Sequence, residues 1–428
     1  MSVSLYIHIP FCVSKCAYCD FFSKTDLSSI DLYVDSLVNE IKFRLKKSDQ
    51  KIKTIYIGGG TPSLLNIQQL LKIQNAIESV CNLESDLEFT IEVNPDDIDE
   101  EYLDKLKKSK INRISCGIQS MSNKVLEFSN RRSRKQQNLT ALSLLQNTWN
   151  KNFSIDLICG LPKETEQSFL QGLRKILSFN PNHISMYSLT VEDETPLGNL
   201  INKGKIEYDY DFSDALWLKS KEILENAGYF QYEVSNFAKP GFESKHNLTY
   251  WNHQTYVGVG SGATGTIYFD GGEGFRYTNT TDIFKYIKFW NNQKTIYNFN
   301  DFDLGFNTNP KNGRVKGLKV VSLDRTYLFD KRNSNLKFLK DIQDEEFIDL
   351  ETSIIEYFMM GLRKISGINS CEYFDIFGSN ISPLIIETFE KWQKKGLCKI
   401  SKSNENVNYT LGKTGIIYLN KFLTEIIN

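Results

Sequence analysis

The sequence has no excess of either charge. Lys and Arg number 51 against 52 Asp and Glu, a formal net charge of −1 over 428 residues. A broad electrostatic footprint for nucleic acid or an anionic membrane surface is therefore not expected. No apolar run is long enough to cross a bilayer. Residues 1–10 carry neither a basic segment nor a long apolar stretch ending in small residues, so a secretory leader is not expected and the protein reads as cytoplasmic. Cysteine is sparse, eight residues in all, which excludes the dense disulfide framework of small secreted domains. No internal repeat of solenoid period is visible. What is present, 40% hydrophobic and 24% charged residues, is ordinary globular composition, at a length that allows roughly two to three domains.

The first half alternates strand-length apolar runs with helical stripes. Residues 4–9, 54–57, 87–93, 113–118, 153–158 and 183–189 read as strands. Between them Ile30, Tyr33, Val34, Leu37, Val38, Ile41 and Leu45 recur at helical spacing, and 68–80, 166–177 and 215–227 do likewise. Six strands alternating with helices imply parallel pairing with crossover helices. The order alone fits either a doubly wound sheet or an incomplete β/α barrel. Past residue 240 the rhythm changes. Residues 236–274 are rich in Gly, Asn and aromatics, and 298–341 read as an irregular insertion. A helix is expected to resume from Glu345 through Phe347, Ile348, Ile354, Ile355, Phe358, Met359 and Leu362. Then come a helix over 383–394, short strands over 397–401 and 408–411, and a last helix from about Thr414. That order resembles a winged helix and, lacking a basic stripe, suggests a structural or docking role. The expected divisions are 1–235, 236–342 and 343–428.

The cysteines are unevenly placed. Cys81, Cys116, Cys159, Cys371 and Cys398 stand singly and read as small buried hydrophobes. Cys12-Val-Ser-Lys-Cys16-Ala-Tyr-Cys19 follows the first strand directly. Three thiolates on so tight a loop can each hold one iron of a cubane cluster, leaving the fourth iron open. A structural zinc site wants a fourth ligand at paired spacing, and no further Cys or His lies nearby. Gly58-Gly59-Gly60-Thr61-Pro62 follows the second strand, where missing side chains let backbone approach a ligand. Alone it could equally be a tight turn. Glu92, Gln119 and Asp156 fall at or towards the carboxyl ends of the third, fourth and fifth strands, the ligand face of β/α folds. Each taken singly could be a capping or salt-bridging side chain.

The C-x3-C-x2-C loop resembles that of the radical S-adenosylmethionine family. Leu5-Tyr-Ile-His-Ile-Pro-Phe-Cys12, Gly58-Gly-Gly-Thr-Pro62, Glu92-Val-Asn-Pro95, Gly117-Ile-Gln119 and Asp156-Leu-Ile-Cys-Gly-Leu-Pro162 are similar to its coproporphyrinogen-oxidase-like branch. The resemblance covers most of the chain. It implies an α/β fold, an incomplete (β/α)6 barrel with a mixed extension and a helical, winged-helix-like C-terminal domain. It implies a [4Fe-4S] cluster on Cys12, Cys16 and Cys19 whose open iron takes S-adenosylmethionine. The implied contacts to that cofactor are Tyr6, Tyr18, Gly59, Gly60, Thr61, Glu92, Gln119, Arg131 and Asp156. One departure concerns Asn130-Arg131-Arg132-Ser133, which stands where the branch's chaperones show Gly-Arg-x-His. Arg132 and Arg134 therefore compete with Arg131 for the register, and a surface basic cluster is the alternative.

Two activities occur in that branch. One is oxygen-independent oxidation, which decarboxylates two propionates of coproporphyrinogen III. The other is heme chaperoning, in which heme is bound and passed to acceptor proteins. Three features resemble the chaperones. Phe21 stands where the oxidase has a further cysteine. Only five residues precede Tyr6, so the oxidase's longer N-terminal segment is not expected. His246-Asn-Leu-Thr-Tyr-Trp251 matches the chaperones' H-N-x-x-Y-W motif, which implies His246 as an axial heme ligand beside the flat faces of Tyr250 and Trp251. Without the resemblance, His246 reads as a hydrogen-bonded structural histidine. His8 shares a strand face with Tyr6 and could either pack or hydrogen-bond near the cluster. Gly258, Gly260, Gly262 and Gly265 have no following Lys-Ser/Thr and read as close backbone packing. The expectation is a cytoplasmic heme chaperone with three cofactors, [4Fe-4S], S-adenosylmethionine and heme. Its expected partners are heme-accepting proteins, an electron donor and a second copy of itself, with no nucleic acid.

Overall fold

The computed structural model describes residues 2–45, 51–292, 337–404, 406–412 and 414–427. Six strands stand side by side in chain order and run parallel: β1 (Ser2–Ile9), β2 (Lys51–Gly59), β3 (Asn82–Val93), β4 (Arg113–Gln119), β5 (Asn152–Cys159) and β6 (His183–Ser188). Helices such as Ile30–Arg44, Ile67–Glu78 and Glu166–Leu177 return the chain between them. Leu5, Ile7, Ile9, Ile55, Ile57, Ile91 and Val93 are buried under these helices, as expected of parallel strands covered on their outer face. The sheet is an open partial barrel.

Its inner face is layered, because alternate residues of a strand share a face. Ser4 pairs with Thr54 and Thr54 with Glu88; two residues on, Tyr6 pairs with Tyr56 and Tyr56 with Thr90; two further, His8 pairs with Gly58. From the amino to the carboxyl ends, the interior passes from hydroxyls to tyrosines to the glycine turn.

The sheet continues beyond six strands. β7 (Phe230–Gln231) and β8 (Asn236–Ala238) add antiparallel outside β6. On the opposite flank β9 (Tyr256–Val259) pairs parallel with β1, followed by antiparallel β10 (Thr264–Tyr268), β11 (Gly274–Asn279) and β12 (Gln343–Ile348). That makes twelve strands in this sheet among the described residues. β12 departs from the helix expected from Glu345: Phe347 and Ile348 pair with Phe275 and Gly274 instead. The helix Leu350–Gly361 begins only after Asp349, whose carboxylate accepts from the Thr352 amide at 2.8 Å. An N-cap residue is itself non-helical, so the helix cannot start earlier. The sheet thus runs past the division expected at 342. Of the stretch 298–341, only Lys337–Asp341, a short 3₁₀ helix, lies within the described residues.

The C-terminal region contains helices Ser370–Phe377 and Pro383–Lys394, a hairpin of Cys398–Ser403 and Asn406–Leu411, and helix Leu419–Ile427. Phe358, Phe389, Trp392, Tyr409 and Phe422 give it a core separate from that of the barrel. Among the described residues no helix is long and apolar enough to cross a membrane.

A buried carboxylate ties the β9–β11 flank to the barrel. Glu40, fully buried on helix Ile30–Arg44, accepts from Arg44 Nε (2.6 Å), Asn279 Nδ2 (2.7 Å), the Gly260 amide (2.8 Å) and the Tyr286 hydroxyl (2.5 Å). Arg44 goes on to Asn279 Oδ1 and to Gln343 Oε1 on β12. Glu40→Ala strands a buried guanidinium and should lower the unfolding free energy by about 3–5 kcal/mol. Glu40→Gln, which keeps one acceptor, should lose less. Urea midpoints at unchanged slope measure both.

Candidate functional site

The site is built at the carboxyl ends of β1 to β5. After β1, Phe11 is buried and the chain doubles back on itself: the Cys12 amide donates to the Lys24 carbonyl (2.9 Å) and the Lys24 amide to the Pro10 carbonyl (2.8 Å). The loop between is tied to two further segments. The Ala17 amide donates to Ser129 O (3.0 Å), and the Leu197 amide donates to Ala17 O (2.8 Å). Cys12, Cys16 and Cys19 are half-buried free thiols. Burial pushes the Cys19 thiol up to about 11, so a metal that takes it as thiolate must displace a proton. Among the described residues no three His, Cys, Asp or Glu side chains gather closely enough for a single metal ion. Of the scattered cysteines, Cys81, Cys116, Cys159 and Cys398 are buried as expected, but Cys371 is exposed. It sits in the first turn of helix Ser370–Phe377, where its amide meets the Asn369 cap and its side chain faces solvent.

Arg131 reaches into this loop. Its Nη1 donates to Cys16 Sγ (3.6 Å), and its Nη2 to Asn94 Oδ1 (3.0 Å) and Gly117 O (2.6 Å), while its buried Nε has no partner. Arg132 instead pairs with Asp96 and Asp97, and Arg134 folds back on the carbonyls of 131–133. The three arginines therefore separate cleanly, and Arg131 faces the thiols. Its orphaned Nε beside those thiols fits a ligand that brings an acceptor.

The glycine turn supplies the cradle. A Cβ on Gly60 would lie 2.5 Å from the Phe11 carbonyl oxygen, and one on Gly59, whose φ is +113°, 2.6 Å from His8. Only glycine closes that gap. The Gly59 amide donates to Glu92 Oε2 (3.2 Å), and the Tyr56 hydroxyl to Glu92 Oε1 (2.8 Å). Thr61 donates to Cys12 Sγ (3.4 Å) and accepts from Asn94 (3.4 Å). Gln119 ends β4 in the left-handed region at φ 63°, its amide against Gly117. Asp156 lies one strand over and accepts from Ser115 at 2.9 and 3.1 Å. Tyr18 packs with Val125, Leu161 and Leu197. Burial, with Asp156 nearby, pushes Glu92 up to about 7 against the hydrogen bonds from Tyr56 and Gly59. Burial likewise raises Asp156, opposed by Ser185, Ser115, Arg113 and Arg131.

Three residues complete the site without having been singled out for it, and His8 takes the hydrogen-bonding one of its two expected roles. Asn94 bridges Thr61 and Arg131, Tyr56 holds Glu92, and Asn130 donates to Lys15 O (2.8 Å). His8 Nε2 donates to Phe22 O (2.9 Å), so its Nδ1 accepts from the Tyr6 hydroxyl (2.9 Å). Asn94 belongs to Glu92-Val-Asn-Pro95 and directly follows the carboxyl end of β3, the one signal in the sequence that points to it. The later glycines act as packing sites, as read. A Cβ on Gly260 would meet His8 O at 2.5 Å, on Gly262 the Phe22 ring at 2.7 Å, and on Gly265 the Tyr277 ring at 2.4 Å.

His246 differs from the expectation of an axial ligand. It sits on helix Lys245–Trp251, 1% exposed, at the hydroxyl layer of the barrel. The hydrogen count fixes its tautomer. Thr249 donates to Lys245 O, so it accepts from Ser4; Ser4 accepts from Thr54, and Thr54 accepts from His246 Nδ1–H (2.8 Å). Nε2 is left to accept from the Tyr250 hydroxyl (2.8 Å). Burial, then the charges of Lys53 and Arg113, push the ring down to about 3. As placed, His246 offers iron neither a free lone pair nor an open face. Trp251 lies under the Arg363 guanidinium instead.

A model of the Radical SAM superfamily matches residues 6–176, which include the cysteine loop, the glycine turn, Glu92, Gln119, Arg131 and Asp156. The chain is 33% identical to the heme chaperone HemW of Bacillus subtilis (strain 168) over 405 residues, 94% of this chain and 93% of that protein. It is 39% identical to the heme chaperone HemW of Lactococcus lactis over 297 residues, 68% of this chain and 76% of that protein. Among solved structures, coproporphyrinogen III oxidase (HemN) from Escherichia coli, described as a radical SAM enzyme, aligns with a TM-score of 0.71. That alignment covers 99% of this chain and 90% of that one at 18% identity, a likeness of fold.

The raised Glu92 carboxyl sets a pH dependence. Between its unfolded value near 4.5 and about 7 the native state binds more protons than the unfolded chain, so stability falls as pH rises through that window and levels off above it. In the metal-free protein, wild type should lose about 1–3 kcal/mol relative to Glu92→Gln between pH 4.5 and 7.5. Urea unfolding at a series of pH values measures the difference.

Proposed function

We propose that the chain, which belongs to the HemW family within the radical SAM superfamily, is a heme chaperone that carries a [4Fe-4S] cluster with S-adenosylmethionine, binds heme and transfers it to acceptor proteins. The observation that carries this is 33% identity with a heme chaperone over nearly the whole of both chains, joined to a carboxyl-end site with three free thiols, a glycine cradle and an orphaned Arg131 Nε. Cys12, Cys16 and Cys19 would hold the cluster, and the Gly59–Gly60 backbone, Thr61, Glu92, Gln119 and Arg131 would hold S-adenosylmethionine, with Tyr6, Tyr18 and Asp156 around them. When bound, the cluster and its ligand supply one-electron chemistry. The chain's own part is to place charge and exclude water. Arg131 presents its guanidinium to a carboxylate, Glu92 accepts from an ammonium or a backbone amide, and the hydrogen-bonded layer below keeps both in position. Phe21, 70% exposed beside the loop, contributes no thiol, which sets this reading apart from decarboxylation of coproporphyrinogen III. The reading places the protein in the cytoplasm and gives it an electron donor, heme-accepting proteins and a second copy of itself as partners.

Anaerobic reconstitution followed by separate heme titration and coproporphyrinogen III turnover tests it. Heme should bind and pass to an apo-protein, with no carbon dioxide released from coproporphyrinogen III. Replacing Cys12, Cys16 or Cys19 by Ala should remove most of the iron and sulfide, whereas Cys81→Ala, Cys116→Ala and Cys159→Ala should retain it. Robust decarboxylation would reverse the ranking.

A further inference from the structure

The H-N-x-x-Y-W segment lies beneath the cradle and touches it through one tyrosine. The His246 ring stacks on Tyr56, centroids 5.1 Å apart and planes 25° from parallel. Tyr6 is the next ring, 6.3 Å from Tyr56 and 6.5 Å from His246. The hydroxyl of Tyr56 donates to Glu92 Oε1 at 2.8 Å, and the other carboxylate oxygen holds the Gly59 amide at 3.2 Å. His246 in turn is fixed from both sides, by Thr54 at Nδ1 and Tyr250 at Nε2. Its backbone is anchored too: the His246 and Lys245 amides donate to the Glu88 carboxylate at 2.9 and 3.0 Å. Glu88 and Glu92 are on one strand and one face, so the helix that carries His246 is registered against the strand that carries the cradle carboxylate.

We propose that His246 is a positioning residue for the S-adenosylmethionine cradle, acting through the Tyr56 ring and hydroxyl on Glu92 and thence on Gly59. This rests on the reading of the site as a cluster with S-adenosylmethionine. It gives the motif a task that needs burial, two satisfied ring nitrogens and a flat face, all of which the histidine has. An axial ligand needs the opposite: an exposed lone pair in front of space for a macrocycle. Phenylalanine at 246 would keep the stack on Tyr56 and lose the hydrogen bonds, whereas alanine would lose both. Phenylalanine at 56 would keep the stack and break only the link to Glu92.

The test uses full-length protein with its reconstituted, reduced cluster. S-adenosylmethionine is titrated while the electron paramagnetic resonance spectrum is followed, and heme stoichiometry and Soret position are recorded in parallel. His246→Ala should raise the half-saturating S-adenosylmethionine concentration about tenfold, as expected for losing an aromatic contact worth one order of magnitude in affinity. Tyr56→Phe should do the same, and His246→Phe should recover much of the loss. The double variant His246→Ala/Tyr56→Phe should be no worse than about either single one, since both cut the same path. Heme stoichiometry and the Soret band should not move. An unchanged titration in Tyr56→Phe, or a Soret shift in His246→Ala with the titration intact, overturns the proposal even where the alanine variant folds poorly. Wild type that shows no spectral response to S-adenosylmethionine would instead sink the underlying reading of the site.

Discussion

The structure depends on an absence of side chains between two strand ends. The Gly60 amide donates to the Ile9 carbonyl at 2.9 Å, and neither Gly59 nor Gly60 has room for a Cβ against His8 and Phe11. Backbone meets backbone, so the cysteine loop begins at a height set by the β1–β2 register and not by any adjustable side chain. Everything above inherits that height. Thr61 reaches Cys12 because Gly60 is pressed against Phe11, and Asn94 reaches both Thr61 and Arg131 because β3 pairs in register with β2. A side chain at either glycine would lift the turn away from the loop and uncouple the thiols from the strand ends that face them.

The polar interior below the cradle is kept without net charge wherever the chain permits it. His8 and His246 are neutral in opposite tautomers, each fixed by which neighbour can give a hydrogen. Burial depresses both rings and raises Glu92 and Asp156. A buried group that cannot be paired prefers to be neutral. Arg131 at the top keeps its charge, as Arg113 does lower down, and its unfilled Nε marks where the chain leaves an electrostatic requirement for something else to meet. The layer of hydroxyls, imidazoles and tyrosines is thus a support whose hydrogen bonds are complete, under a rim whose hydrogen bonds are not.

The six parallel strands were legible because each is a short apolar run ending in a turn, and the structure moves their ends by no more than five residues, starting β3 at Asn82 rather than 87 and ending β6 at Ser188 rather than 189. The cysteine loop and the glycine turn were legible because their spacing is unusual in itself. Two things were not. Gln343–Ile348 carries apolar residues that fit a helical stripe as well as a strand, and only its pairing partner Gly274–Asn279, some seventy residues earlier, decides between them. Likewise, the motif around His246 says which side chains are present but not at which layer of the barrel they lie. Depth is a property of register with β2 and β3, and register is invisible in the motif. Arg131 could be told from Arg132 only by the acidic pair Asp96 and Asp97, which claims Arg132 from another loop.

β9 changes what the barrel is. Residues 6–176, the stretch that matches the superfamily, would by themselves leave β1 as an edge strand with its cysteine loop supported on one side. An edge strand with free backbone groups is a liability for pairing and for precision. In the full chain β1 is interior. Gly260 packs on the His8 carbonyl, which also accepts from the Tyr33 hydroxyl at 2.7 Å, and Gly262 packs on Phe22 at the end of the loop. The cysteines are therefore flanked by glycine segments from both neighbours of β1, one following β2 and one following β9. The second flank is in turn held by Glu40, and its outer strands are joined to the helix Leu350–Gly361 by the paired hydrogen bonds of Arg276 to Glu356, both 2.8 Å. The placement of the loop is thus a property of the strands that flank the barrel as well as of the barrel itself.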